Sequence, residues 1–347
     1  MENIDYIELY VSDLEKSVAF YERTFRLVPI ACSDQDDYSS VLVQQGSIRL
    51  VLTSAKKPSS PVAQFIDTHG EGVKDIAFST PQVEHHYRIA IQKGCRSVLA
   101  PSSYPTGQEV IHKATVSAFG SATHTFISRT SENSTTLPFF EPIESAKIQT
   151  SALNAIDHIA ICVNVGEVDS YVNQYIDIYG FKQSHEEQVI TNYSGMKSRA
   201  VQSANEQIKI VFVEPVTGLK TSQVAEFLQQ FGGPGVQHIA FSTEDIVSSV
   251  QQLRASGLET LAIPNEYYNT LPVKESDCRI LRQHSILFDT NEQGSLYQIF
   301  SKSVVARATL FFEVIQRVGC TGFGSNNIKA LFQAIEQEQF KRATALM

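Results

Sequence analysis

The sequence predicts an α+β protein made of four copies of one βαβββ module, paired into two domains. Three observations carry this reading. The chain has 347 residues, more than one ordinary core needs and comfortable for two. Its opening run Ile4-Asp5-Tyr6-Ile7-Glu8-Leu9 is echoed by Ile156-Asp157-His158-Ile159-Ala160-Ile161. The run Gly70-Glu71-Gly72-Val73-Lys74-Asp75-Ile76-Ala77-Phe78-Ser79-Thr80 agrees with Gly233-Pro234-Gly235-Val236-Gln237-His238-Ile239-Ala240-Phe241-Ser242-Thr243 at eight of eleven positions. Self-similarity of this kind marks a repeated structural unit.

Each of the four runs is short, apolar and β-branched, the pattern of a strand. A segment of helical period follows each one: Asp13 to Phe25, Gln82 to Lys93, Val168 to Tyr179 and Asp245 to Ser256. In the first, Leu14, Val18 and Tyr21 line one helical face. Gly94, Gly180 and Gly257 stand where three of these helices should stop. Further strands are expected at Ser40 to Val43, Ile48 to Thr53 and Glu206 to Val213. Residues 131–153 are rich in Ser, Thr and Pro and lack a period, as a connection does. The predicted division is an N-terminal domain over 1–135, a linker over 136–153 and a C-terminal domain over 154–347.

Paired βαβββ modules, present twice, resemble the vicinal oxygen chelate superfamily over nearly the whole chain. The resemblance implies a cup-shaped sheet in each half, with a metal inside. Strand alternation puts His158, Ala160 and Cys162 on one face, and His238, Ala240 and Ser242 on one face of the partner strand. In equivalent strands of paired modules the two histidines should converge in the same cup. The third donor is expected at Glu313, because a carboxylate amid Thr309-Leu310-Phe311-Phe312-Glu313-Val314-Ile315 is costly to bury unless paired or metal-bound. Two imidazoles and a carboxylate leave about three open positions on an octahedral iron(II), enough for a chelating substrate and dioxygen. Zinc hydrolases use the same donor types, so the donors alone do not fix the metal.

A lone histidine on an apolar strand is ordinarily a core residue, and the repeat is what distinguishes this pair. The first half carries Tyr6 and Asp75 at the matching positions and lacks a comparable buried carboxylate. One active and one structural domain are therefore expected. His85 and His86 on a helix, and His69, His112, His124, His185 and His284, have no partner at metal spacing and are assigned solvated or supporting roles. Cys162 reads as a small packing residue.

Three further stretches narrow the resemblance. Gly235 to Ala240, Tyr297-Gln298-Ile299-Phe300 and Phe311 to Arg317, with the C-terminal Gly322-Phe323-Gly324-Ser325-Asn326-Asn327-Ile328-Lys329-Ala330-Leu331-Phe332, resemble 4-hydroxyphenylpyruvate dioxygenases and 4-hydroxymandelate synthases. Both kinds of enzyme act on the same arylpyruvate, using Fe(II) and dioxygen. The resemblance implies chelation of the keto acid and oxidative decarboxylation. Ring attack with a side-chain shift then gives homogentisate, and benzylic hydroxylation gives hydroxymandelate. It also implies a substrate pocket formed by Ser198, Val211, Val213, Gln223, Gln237, Gln298, Phe300, Phe323, Asn327 and Ile328. The dioxygenase pattern sandwiches the ring between two phenylalanines. Phe300 matches the first, but Ile328 replaces the second, as in the synthase. Val213 stands where the dioxygenase has asparagine and the synthase an aliphatic residue. These two positions favour a mandelate-type product. Val211, where the synthase pattern has threonine near the phenol, leaves phenylpyruvate open as a substrate. The last helix, Asn326 to Gln339, carries Ile328, Leu331, Phe332 and Ile335 on one stripe, the pattern of a docked amphipathic helix; the resemblance implies that it also serves as a lid over the iron pocket.

Composition excludes other classes. Net charge is −9 with no basic block, so no nucleic-acid partner is expected. No apolar stretch of about 18 residues exists, so no membrane span is expected. The start Met1-Glu2-Asn3-Ile4-Asp5 lacks a basic, apolar leader. The five cysteines are scattered and without CxxC spacing, which fits a reducing cytoplasm. A homodimer is expected by analogy alone. Two rivals share the fold: a metal-dependent isomerase or lyase, which would turn over without dioxygen, and a small-ligand binding protein, which would need no metal.

Overall fold

The computed structural model describes the chain except residues 132–133, 135, 145–150, 192–193, 219 and 346–347. The first half contains β1 (Asn3–Tyr10), α1 (Leu14–Phe25), β2 (Val28–Asp34), β3 (Tyr38–Gln45), β4 (Ile48–Ala55) and α2 (Pro61–His69). It continues with β5 (Gly72–Ser79), α3 (Val83–Gln92), β6 (Ser97–Thr106), β7 (Glu109–Ser117), β8 (Thr123–Arg129) and the short β9 (Glu141–Pro142). The second half contains β10 (Leu153–Cys162), α4 (Val168–Tyr179), β11 (Lys182–Ile190), β12 (Gly195–Gln202), β13 (Lys209–Val216) and α5 (Gln223–Phe231). After these come β14 (Gly235–Thr243), α6 (Ile246–Ala255), α7 (Asn265–Tyr268), α8 (Glu275–His284), β15 (Leu287–Asn291), β16 (Gly294–Phe300), β17 (Phe311–Val318) and α9 (Ser325–Ala345).

Each half curls one mixed sheet into a cup. The strand orders are β6-β7-β8-β5-β1-β4-β3-β2-β9 and β11-β12-β13-β10-β14-β17-β16-β15. In both, the first strands of two modules pair antiparallel at the centre, β1 with β5 and β10 with β14. Each central strand also pairs parallel with the last strand of its own module, which the helical crossover permits. The four expected helices form within a residue or so of their predicted limits. Asp13 caps α1 by accepting from the Lys16 amide, and Asp245 caps α6 by accepting from the Ser248 amide. Gly180 ends α4 in the left-handed region, at φ 69°.

Four expectations need correction. The strand expected from Glu206 begins at Lys209, because Ser203 and Asn205 form a side-chain-bonded turn and Glu206 lies at φ 61°. Helices α7 and α8 interrupt the fourth module. The connection at 136–153 is partly structured: Leu137 is buried and β9 pairs with β2, while residues 145–150 lie outside the described residues. His124 is fully buried, and its ring nitrogens meet the Ile76 carbonyl and the Tyr175 hydroxyl. It is a core histidine linking the two halves, not a solvated one.

The cores of the two sheets are continuous. Ile7, Leu50 and Phe78 share one cluster with Ile159, Phe212 and Phe241. Phe25 of α1 lies 4.8 Å from Phe312 and 5.5 Å from Phe241, ring centre to ring centre. His69 stacks on Phe231 at 4.8 Å and bonds the Phe231 carbonyl. Aromatic contacts of this kind stabilise beyond the area they bury.

Candidate metal centre

The centre is built across three adjacent strands. His158 of β10 faces Ala240 of β14, which in turn faces Glu313 of β17. The methyl group of Ala240 leaves room between the two larger side chains, and His238 lies two residues along β14 on the same face. His158 Nε2 is 3.2 Å, and His238 Nε2 3.5 Å, from Glu313 Oε2. One donor atom from each residue lies within 4.8 Å of the others, and all three residues are buried. Neighbouring donors on an octahedral ion with bonds of about 2.1 Å sit roughly 3 Å apart, so this donor set fits a divalent metal.

Neither histidine is aimed by regular pleating. In the β10–β14 ladder Ile156 faces Phe241 and His158 faces Ala240, so Asp157 is an extra residue. Further along, Ala160 faces His238 and Ile161 faces Val236, so Gln237 is extra on the other strand. Bulges re-aim side chains, and these two flank the donors. The first puts Asp157 beside its neighbour, where Oδ1 accepts from His158 Nδ1 at 2.8 Å. Arg317 then clamps Asp157 with two bonds of 2.8 Å from Nε and Nη2 and reaches the Gly322 carbonyl with Nη1. Despite its burial, Asp157 is held well below the usual carboxylate range by Arg317 and His158. Burial opposes charge on His158, but Glu313 and Asp157 outweigh it and raise the imidazole to about 9. Burial lowers His238 to about 3, and its Nδ1 is buried without a hydrogen-bond partner among the described residues. Glu313 is lowered, burial notwithstanding, by the two histidines.

An ionised Asp157 fixes the tautomer that leaves Nε2 of His158 free to donate to a metal. Asp157→Asn keeps the shape but weakens this hold and the Arg317 clamp. Iron affinity, measured by chelator competition, is expected to fall about 10- to 100-fold.

The other carboxylate oxygen, Glu313 Oε1, accepts from Gln298 Nε2 at 2.8 Å. Gln298 Oε1 accepts from Asn327 Nδ2 at 2.8 Å, and Asn327 Oδ1 accepts from Tyr267 Oη at 2.8 Å. Gln298 thus ties Glu313 to Asn327 in the first turn of α9, and Asn327 is held in turn by Tyr267 of α7. Gly324 precedes that turn at φ 74°, where an added Cβ would lie 2.9 Å from Leu296 and 3.0 Å from Gln298 Oε1. Gly324→Ala is expected to shift α9 and cut arylpyruvate turnover about tenfold or more while the iron content is kept.

Two family models, both described as Glyoxalase/Bleomycin resistance protein/Dioxygenase superfamily, match residues 3–121 and 157–270 respectively. The 4-hydroxyphenylpyruvate dioxygenase of Yarrowia lipolytica is 33% identical, over 97% of this chain and 92% of that protein. That of Dictyostelium discoideum is 31% identical, over 99% of each. The chain belongs to the 4-hydroxyphenylpyruvate dioxygenase family. A solved structure of a mutant 4-hydroxymandelate synthase from Streptomyces coelicolor superposes with a TM-score of 0.90 at 33% identity, covering 97% of this chain and 99% of that one.

In this member of the dioxygenase family the first sheet holds Tyr6, Asp75 and Thr125 at the positions of His158, His238 and Glu313. The ion pairs are kept: Asp5 is bonded by Arg129 and Arg49, as Asp157 is by Arg317. Of the pocket residues expected from sequence, Gln298 and Phe323 touch the centre directly, and Asn327 reaches it through Gln298. The Phe323 ring lies edge-on to His158 at 5.2 Å. Gln223 and Gln237 line a cavity of about 90 Å³ beside Phe311. Val211, Val213 and Ile328 pack in one apolar cluster with Cys162, Met196 and Phe332. Phe300 packs apart from them, against Leu261, Phe311 and Leu331. Ser198 is buried on β12 opposite Val213. His185 approaches Phe323 at 5.5 Å.

Sequence reasoning missed Asp157, Arg317, Tyr267 and Phe311. Phe311 stacks on His238 at 4.9 Å and 24°, filling one wall of the cup. The helix expected at the C-terminus is present as α9, with Leu331 and Phe332 buried.

Proposed function

We propose that this chain is an Fe(II)-dependent oxygenase that decarboxylates an arylpyruvate and hydroxylates its benzylic carbon. The product would be 4-hydroxymandelate, or mandelate from phenylpyruvate. The reading is carried by the His158–His238–Glu313 face, tied through Gln298 to Asn327 of α9, the helix whose Ile328 packs in one apolar cluster with Val213. One dioxygen supplies both new oxygens: one enters the carboxylate formed as CO2 leaves, the other becomes the hydroxyl. His158, His238 and Glu313 would hold the iron, which supplies the remaining positions for a chelating keto acid and dioxygen.

The chain's own residues do the rest. Asp157 and Arg317 orient His158, and Gln298 and Asn327 orient Glu313. Glu313 is 1% and Asn327 0% exposed, so substrate entry requires α9 to move, and its return excludes water. Ser198, Gln223 and Gln237 would orient the keto acid or the ring, and the aliphatic side chains of Val211, Val213 and Ile328 would set the tilt of that ring. On this reading 154–347 is the catalytic domain, 1–135 the structural one and 136–153 their linker.

A second reading, formation of homogentisate, is favoured by the 31–33% identity to 4-hydroxyphenylpyruvate dioxygenases. Product analysis by mass spectrometry separates the two. Purified protein would receive ferrous iron, ascorbate, air and either 4-hydroxyphenylpyruvate or phenylpyruvate. A mandelate product upholds the first reading, and homogentisate replaces it with the second. Turnover under strict anaerobiosis would sink both.

A further inference from the structure

The first sheet has no metal-type donor set among the described residues, yet its cup is not filled with apolar side chains. A cavity of about 270 Å³ opens on its concave face, lined by Tyr6, Glu8, Tyr10, Tyr38, Tyr104 and Lys113, among others. By the repeat, Tyr6 occupies the position of His158, and Lys113 that of Gln298. The cavity is therefore the counterpart of the metal centre, rebuilt with other chemistry.

Its polar groups are organised. Ser40 and Thr53 share a 2.8 Å hydroxyl bond, and Thr53 Oγ1 donates to Glu8 Oε1 at 2.7 Å. Asp75 is buried nearby and accepts from Thr123 at 2.6 Å. The cation that lines the cavity, Lys113, lies 5.9 Å from the centre of the Tyr6 ring. The other lysine on these strands, Lys74, is tied to the Ser121 carbonyl over Phe65. Two carboxylates thus share one lining ammonium. Burial raises both Glu8 and Asp75 above the usual carboxylate range, and the nearby lysines oppose that rise. The rim is aromatic: Tyr104 and Phe139 meet edge to face at 5.5 Å, with Phe139 67% exposed. A carboxylate oriented by hydroxyls, within aromatic walls, suits an organic cation.

We propose that this cavity is a second ligand site, which binds a small organic ammonium ion, with Glu8 as counter-ion and the tyrosine rings against its body. Lys113 lines the same cavity, with Asp75 as its nearby carboxylate, which leaves Glu8 to face the ligand.

The test is isothermal titration of the full iron-loaded chain with 2-phenylethylamine, and with 2-phenylethanol as the uncharged match. Saturable binding of the amine at one site is expected, with the alcohol weaker by about tenfold or more. Glu8→Gln should weaken the amine by a similar factor while arylpyruvate turnover is kept. Thr53→Val, which leaves the carboxylate in place but removes its orienting hydroxyl, should weaken it less. Because amine and alcohol are compared on the unaltered protein, a misfolded variant does not decide the matter. Equal binding of alcohol and amine, no saturable binding, or binding untouched by Glu8→Gln and competitive with arylpyruvate would each overturn the proposal.

Discussion

Replacing Glu313 with alanine is expected to remove bound iron and lower arylpyruvate turnover on the order of 10³-fold or more, since several kcal/mol of metal-derived stabilisation would be lost. Glu313 Oε2 lies 3.2 and 3.5 Å from the Nε2 atoms of the two imidazoles, so without it the two histidines have no shared anionic partner. Gln298 would also lose its acceptor, loosening the chain through Asn327 to α9. The fold should persist, because Asp157 and Arg317 continue to hold His158. Iron content, turnover and melting temperature would be measured together. Full iron content with full turnover in a folded variant would show that the metal lies elsewhere.

Ile328→Phe is expected to shift the product from the benzylic alcohol toward homogentisate, raising the homogentisate share about tenfold or more. Ile328 sits on the first turn of α9 and packs against the cluster containing Val213, Met196 and Phe332. A phenyl ring there would press toward the space that a substrate ring needs, and a displacement on the order of 1 Å is enough to change which carbon is oxidised. Overpacking costs about 1–3 kcal/mol of stability, so some loss of total turnover is expected as well. Adding Val213→Asn should push in the same direction. An unchanged product ratio in both variants would remove Ile328 and Val213 from the account of specificity.

What was legible in the sequence follows from the repeat. The two echoed strand pairs located His158 and His238, and the apolar run around Glu313 made its carboxylate stand out. The supporting residues were hidden by the rule that served the donors. Strand alternation sends Asp157 to the face opposite His158, and only the bulge brings it back. A signal did exist: each half has an aspartate just before its first cup residue, Asp5 or Asp157. Each also has an arginine four residues beyond Thr125 or Glu313, namely Arg129 or Arg317. Tyr267 could not be found this way, because α7 and α8 have no counterpart in the other modules. His124 read as an ordinary polar residue because its partner Tyr175 lies 51 residues away, in the other half.

The aromatic seam through Phe25, Phe241 and Phe312 bears on why a half without metal donors persists. Cutting the chain between the sheets would expose these rings to water on both sides, together with His124 and Tyr175. The two halves should therefore melt in a single calorimetric transition, not two. Mutational drift can erase the donors of the first cup at little cost to the second. It cannot erase the first cup itself, because the second half borrows part of its interior from it.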